Sequence, residues 1–266
     1  MEGLLANCEP MSDLQALVIQ PVYSLKAADA LVSFLGKHKD LQKLYIKLSL
    51  PAALDPRIIP LLSSGKFSNL LSLSLSWDGP GREEDTRPHI ATIAEESIAA
   101  IGRIVSLEQL YLSAGQQAGW RCQWLVDHEI LRANFKGLTK LKKLAIDRDT
   151  YRTIDELEVE AYYSDKVLRH ADWLRAHEAL GVNEDLEDDD VPYDEIFERG
   201  HRDLMLAEAE KNAATLPSLE WIFCGQWPMA IEEHENGKVK AAVPLTKERD
   251  SCWTALNRMF SMETND

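Results

Sequence analysis

The sequence predicts an α/β protein, a curved and irregular solenoid with parallel strands on its inner face and helices outside. One observation is a recurring pattern: a leucine, two free positions, a second aliphatic residue, one free position and a third aliphatic residue. This pattern is typical of the strand in a leucine-rich repeat. A second observation is the helical periodicity between successive copies. Strand and helix in alternation require parallel pairing with right-handed crossovers, so we expect a leucine-rich-repeat-like fold.

Six segments carry the strand pattern. They are Leu14, Leu17 and Ile19; Leu41, Leu44 and Ile46; Leu70, Leu73 and Leu75; Leu107, Leu110 and Leu112; Leu141, Leu144 and Ile146; and Leu219, Ile222 and Cys224. Their first leucines are 27, 29, 37, 34 and 78 residues apart, so the later intervals exceed the usual period of roughly 20–29 residues. One or two copies could arise by chance, whereas six favour repeats. We expect adjacent parallel strands with all three aliphatic side chains buried.

Helical periodicity marks the segments between the strands. The clearest stretches span residues 27–39, 93–105 and about 127–135. In the first of them, Ala30, Leu31, Phe34 and Leu35 recur at the spacing of one helix face. We expect these helices to cover the outer side of the sheet.

The longest interval contains an acidic, mainly helical insertion at residues 151–216. Residues 151–210 carry 19 acidic and 6 basic side chains, a net charge of −13 out of −15 for the whole chain. Helical patterns at 155–181 and 192–214 flank the acidic run NEDLEDDD at 183–190. This run has too few apolar side chains to pack compactly. It suits a solvated loop or a contact with a basic partner.

The segment after the sixth strand pattern is predicted to cap the stack at residues 228–262. Residues 229–235 and 238–243 flank Asn236-Gly237, a pair that suits a two-residue hairpin turn. Thr246 is a candidate N-cap for a helix over 245–260. A solenoid needs its open end shielded, and a hairpin followed by a helix can provide this. We interpret residues 1–266 as one domain with an insertion and a cap.

Composition limits the function classes. No apolar run approaches the roughly 18 residues needed to cross a bilayer, and the N-terminus lacks the pattern of a secretory signal. The four cysteines form no CxxC pair, which argues against a zinc knuckle or a redox pair. Net negative charge disfavours binding to nucleic acid. We therefore expect an intracellular protein, cytoplasmic or nuclear, with neither membrane nor nucleic acid among its partners.

The positions that alternate with the buried leucines should form the exposed inner face. Large rigid side chains there suit protein contact, and lysines add positive charge. The candidate partner-binding residues on this face are Tyr45, Tyr111, Phe223, Trp221, Lys43, Lys47 and Lys143. Trp77 and Trp227, in the loops predicted after two strands, add a rim. The aromatic residues could instead pack against the acidic insertion, and both readings remain open.

Catalytic signals are weak. Asp147-Arg148-Asp149 spells a DxD triplet, which places two carboxylates near a divalent cation in some enzymes. Two surface acids at a strand end explain it more simply. No phosphate-binding loop, dinucleotide fingerprint, nucleophile elbow or HExxH motif occurs. We assign no catalytic residue, metal or cofactor. The alternative is an enzyme with its active site between the inner sheet and the insertion.

Three segments carry a family resemblance: LTKLKKLAIDRDTY (138–151), MLAEAEKNAATLPSLEWIFCGQWPM (205–229) and VPLTKERDSCWTALNRMF (243–260). They resemble the leucine-rich-repeat region of F-box-like proteins from filamentous fungi. The resemblance implies a substrate-recognition module of a cullin-type ubiquitin ligase. It covers the repeats only, because residues 1–13 contain no F-box opening such as LPxEI. The expected function is non-enzymatic binding of another protein.

Overall fold

The computed structural model describes residues 8–78, 91–115, 124–153, 167–181, 192–233 and 240–246, with the short strands at 117–118 and 121–122 and the single residues Leu5 and Leu256. The strands are β1 (Ala16–Ile19), β2 (Lys43–Ser49), β3 (Ser72–Trp77), β4 (Gln109–Ala114), β5 (Gln117–Ala118), β6 (Arg121–Cys122), β7 (Trp124–Leu125), β8 (Lys143–Asp147), β9 (Asp149–Thr150), β10 (Trp221–Cys224), β11 (Trp227–Glu233) and β12 (Lys240–Pro244). The α-helices are α1 (Leu25–Lys37), α2 (Pro51–Ala53), α3 (Ile59–Leu62), α4 (Glu95–Ile101), α5 (His128–Phe135), α6 (His170–Leu180) and α7 (Tyr193–Thr215), and a π-helix spans Leu54–Ile58.

One eight-stranded sheet organises the chain, in the order β1-β2-β3-β4-β8-β10-β11-β12. The first six strands are parallel, and the last two pairings are antiparallel. The middle aliphatic residues align across neighbouring strands, for example Leu110 with Leu73 and with Leu144. The expected α/β class with a parallel sheet is therefore confirmed.

The main core lies between the leucine face of the sheet and the helices. Every aliphatic position of the second to sixth strand segments is buried. Leu14 and Leu17 are the exceptions, because β1 is an edge strand and both stay partly exposed. Five segments thus match the expected burial and the first matches it only at Ile19.

Local sequence explains where the outer helices begin. The hydroxyl of Ser24 accepts a hydrogen bond from the Ala27 backbone at 3.1 Å, which caps α1. Asp127 caps α5 in the same way, through the backbone N–H groups of Glu129 and Ile130. Helix α1 then buries Leu31 and Leu35 at the predicted spacing. Residues 51–62 are helical throughout, as α2, the π-helix and α3. The sequence pattern did not predict this, because the three prolines in this stretch disfavour a regular helix.

The described part of the acidic insertion lies in the outer layer. Met205, Ala209 and Ala213 of α7 belong to the same buried cluster as the strand leucines. Helix α6 packs on α7 around Leu168 and Phe197. Helix α7 therefore occupies the place of an ordinary outer helix before β10. The acidic run 183–190 lies outside the described residues.

A two-residue turn ends the parallel order. Gly225 and Gln226 both have positive φ, 57° and 65°, as a tight hairpin turn requires. They join β10 to β11, with Cys224 paired to Trp227. Strand β11 then pairs with β12, in agreement with the predicted hairpin, whose Asn236-Gly237 turn lies outside the described residues. Within the described residues, no helix is long and apolar enough to span a membrane.

Candidate functional site

The inner face is the side of the sheet opposite the helices, and its β1–β2 part is open. Val18 is 44% exposed, and Lys43 and Lys47 are exposed as predicted. Tyr45 is half-buried next to Val18 in the register of β1 and β2. We call these four residues the open half. They combine apolar and aromatic surface with two positive charges.

A polar row runs across the strands beside Tyr45. The Ser72 hydroxyl donates to the Gln109 side-chain oxygen at 3.4 Å. Since that uses the Ser72 proton, the Tyr45 hydroxyl donates to Ser72 Oγ at 3.2 Å. The bond orients the ring of Tyr45 while leaving it in contact with solvent.

The opposite part of the inner face is covered, which corrects the predicted exposure of Trp221 and Phe223. Trp221 is 2% exposed and Phe223 is 0% exposed. They form a cluster with Ala145 and the helical residue Leu256, and Tyr111 packs against it. We call Ala145, Trp221 and Phe223 the covered half. Trp221 and Phe223 thus contact Leu256, and the described helices of the acidic insertion lie on the other side of the sheet.

The two rim tryptophans are also buried. Trp77 is the last residue of β3, and its indole donates to Asp55 at 2.9 Å. Trp227 begins β11 and lies in the main core. Both were expected in exposed loops, and this expectation is wrong. Strand β3 extends as far as Trp77, and a two-residue turn after β10 places Trp227 at the start of β11. Lys143 stays half-buried at the start of β8.

Between the two halves lies a hydrogen-bonded pair, in which Tyr111 is half-buried and Asp147 is buried. The Tyr111 hydroxyl donates to Asp147 Oδ2 at 2.6 Å. Burial and the neighbouring carboxylate raise the pKa of Tyr111 well above its usual value. Burial raises the pKa of Asp147, although the Tyr111 bond and the Arg148 charge oppose the rise. A phenol in this state is a hydrogen-bond donor and not a nucleophile at neutral pH.

The pair leaves polar atoms unsatisfied. Asp147 is 1% exposed, and its Oδ1 has no hydrogen-bond partner. The Ser113 hydroxyl, opposite Asp147 on β4, lowers the pKa of Asp147 but is not placed for a regular hydrogen bond. Arg148 Nε lies 3.8 Å from Asp147 Oδ2. Buried polar atoms without partners cost free energy, so these atoms make this pair a strained part of the inner face.

The DxD triplet does not form a shared carboxylate site. Asp149 is 2% exposed, and both its oxygens accept from the Gly225 backbone N–H, at 2.9 and 2.8 Å. Asp147 instead faces Tyr111. Both acids are buried, so the simpler explanation of two surface acids is wrong as well. Among the described residues, no His, Cys, Asp and Glu side chains group as a metal site.

A cavity of about 390 Å³ lies in the outer layer, between α5, α7 and the chain before α6. Its lining includes His128, Arg132 and Glu208, and Arg132 Nη1 lies 2.6 Å from the Glu208 carboxylate. Burial lowers the pKa of His128 to about 4. Burial alone would raise the pKa of Glu208, but hydrogen bonds from Lys211 and Arg132 outweigh it and lower the pKa. The charged groups of this cavity are largely paired with one another.

The site residues that sequence reasoning missed are Asp147, Ser113 and Leu256. Strand alternation placed the first two on the inner face, and no local signal indicated that they would be buried.

Comparison with known proteins assigns neither a family nor a function to this chain. No family model, no curated protein and no solved structure matches this chain.

Proposed function

We propose that this chain is an irregular leucine-rich-repeat-like solenoid that binds another protein through the open half of its inner face, without catalysis. The supporting observation is the composition of the open half. Val18 and Tyr45 offer contact area, and exposed Lys43 and Lys47 flank them. Aromatic side chains framed by polar groups are common at binding hot spots.

The charges of the open half favour an acidic surface on the partner. The described residues provide no carboxylate within ion-pair distance of Lys43 or Lys47. A partner's acidic groups would steer association and fix its orientation. We further propose substrate recognition for a ubiquitin ligase as the setting, on the basis of the resemblance to fungal F-box-like repeat proteins.

The test compares two charge-matched variants by affinity capture from the native host, followed by mass spectrometry. The open-half variant carries Tyr45→Ala, Lys43→Glu and Lys47→Glu. The control carries Tyr23→Ala, Lys136→Glu and Lys140→Glu, at exposed positions outside the inner face. We expect recovery of the specific partner to fall at least about tenfold for the first variant only, since one anchor contributes roughly 1–2 kcal/mol.

Equal recovery by both variants, with unchanged melting temperatures, would exclude the open half as the binding surface.

The proposed role in a ubiquitin ligase has a readout of its own. A cullin adaptor should be recovered with the partner, and its absence from every capture would count against that setting while leaving partner binding intact.

A further inference from the structure

Strand β1 forms one edge of the eight-stranded sheet, and among the described residues no other strand pairs with its outer side. The Gln15 carbonyl accepts from the backbone N–H groups of Gln42 and Lys43, so it faces β2. Backbone groups alternate in direction along a strand, so the N–H and C=O groups of Ala16 and Val18 face away from the sheet. They can pair with a further strand.

The two edges of the sheet are protected differently. Natural edge strands commonly carry a charge or a proline, which hinders pairing with another chain. Strand β12 carries Lys240 and Pro244. The Leu245 N–H donates to the Pro228 carbonyl of β11, so Pro244 faces outward, where it has no N–H to offer. Strand β1 has the sequence ALVI and contains neither a charge nor a proline.

Exposed apolar side chains concentrate around the β1 edge. Among the described residues, ten large apolar side chains are exposed, and four of them lie within residues 11–25: Met11, Val18, Tyr23 and Leu25. Leu17 of β1 is also partly exposed, although it belongs to the leucine pattern. Clustered apolar surface of this kind commonly marks a contact with another molecule.

The charge around β1 favours a second copy of this chain as that molecule. Residues 1–50 contain five acidic and five basic side chains, so this part is neutral, whereas the whole chain carries −15. A large net charge normally keeps identical chains apart. Most of the negative charge lies in residues 151–210. Two β1 edges can therefore meet without strong like-charge repulsion.

We propose that two copies pair antiparallel through β1 about a two-fold axis at Leu17, so that the two eight-stranded sheets become continuous. In this register the outward backbone groups of Ala16 in each copy bond those of Val18 in the other. Leu17 meets Leu17 of the second copy. The residues before β1, including Met11, lie beside those that follow it in the other copy, including Tyr23. The contact is thus self-complementary, as a two-fold dimer requires.

The two open halves adjoin on one side of the joined sheet. The two β2 strands lie three strand spacings apart, roughly 14 Å. This exceeds the screening length of about 8 Å at physiological salt, so Lys43 and Lys47 of the two copies repel one another little. A binding partner would meet a surface with two-fold symmetry. The dimer does not rest on the proposed function, because it can be measured without a partner.

The test is sedimentation equilibrium of the full chain at protomer concentrations from about 1 to 300 μM. Strand β1 is only four residues long, so the contact is small and the dimer should be of the weak class. We expect the average mass of the wild type to rise with concentration from 30.0 kDa towards twice that value. Ala16→Pro removes an outward N–H and should abolish the rise. Ala16→Val keeps that N–H and should retain it.

A second pair of variants tests the edge through charge. Ala16→Lys with Val18→Lys places like charges directly opposite one another across the joint, which is destabilising. The matched control is Ala171→Lys with Leu174→Lys on α6, since Ala171 is exposed like Ala16, and Leu174 is 47% exposed against 44% for Val18. The edge variant should stay at 30.0 kDa, and the control should behave like the wild type.

Four results would overturn the proposal. The first is a wild-type mass of 30.0 kDa at every concentration. The second is a doubled mass that persists in the lysine edge variant. The third is a mass beyond two copies, because a two-fold contact closes after one pairing. The fourth is loss of cooperative melting in both Ala16→Pro and the lysine edge variant, which would mean that the outer side of β1 already has a partner within the chain. None of these results decides whether the open half binds another protein.

Discussion

His128 should make the stability of this protein fall as the pH decreases from about 6.5 towards 4. Burial lowers the pKa of its imidazole from 6.5 to about 4. Between these values the unfolded chain binds a proton at this site and the folded chain does not. Protons therefore favour unfolding, and the free energy of unfolding decreases with falling pH.

The magnitude follows from the size of the shift. Each pKa unit corresponds to about 1.36 kcal/mol, so the full difference would be about 3 kcal/mol. His128 keeps some contact with solvent, which screens part of the effect. We expect a loss of about 2 kcal/mol between pH 7 and pH 4.5, or roughly 5 °C in melting temperature.

The assay is urea unfolding of the wild type, His128→Gln and His170→Gln at four pH values from 7 to 4.5. His128→Gln should remove most of the pH dependence, because glutamine does not titrate. His170 is exposed, so its variant should follow the wild type. Glu208 has a lowered pKa and loses its contribution only below this window. Equal pH profiles for the wild type and His128→Gln would refute the reasoning.

Two further predictions each compare two positions: a buried and an open residue of the inner face, and two glycines. Phe223→Ala should lower the free energy of unfolding by about 3–5 kcal/mol, because it empties a fully buried position. Tyr45→Ala on the open half should change the free energy of unfolding by less than about 1 kcal/mol. Similar losses for both variants in urea unfolding would contradict the division of the inner face into two halves. Gly225→Ala should destabilise the chain by more than about 2 kcal/mol, because a Cβ there would overlap the Met205 side chain and φ is 57°. Gly36 lies in a helix with open space around it, so Gly36→Ala should instead stabilise the chain by about 0.5–1 kcal/mol. Equal shifts in melting temperature for Gly225→Ala and Gly36→Ala would exclude the proposed overlap with Met205.

The strand pattern predicted the main core well because it is a local signal repeated many times. Leu144 illustrates this, since its position in the pattern was enough to place it at 0% exposure. Strand alternation also assigned the correct face to Tyr45 and Phe223. It could not indicate their different exposure, because Phe223 is buried by Leu256 from a distant part of the chain.

Turn chemistry explains the other differences. Gly225-Gln226 is a poor sequence signal for a tight hairpin, because glutamine seldom adopts positive φ. The sequence pattern therefore predicted a loop after β10 and an exposed Trp227. In the structure, Trp227 is buried at the start of β11. Asp147 was also expected at a solvated strand end, for a different reason. Its burial depends on packing around the ends of β4 and β8, which no local pattern encodes.

The reversal at Gly225-Gln226 gives the sheet two chemically different ends. Beside β1, a new strand could repeat the parallel register, and its preceding helix could join the outer layer. Beside β12, the neighbouring pair is already antiparallel, so the strand–helix unit cannot be continued there in the same sense. We therefore expect strand–helix units to be added or removed before β10 and not beside β12. Related chains should differ in length on that side and retain the terminal antiparallel strands.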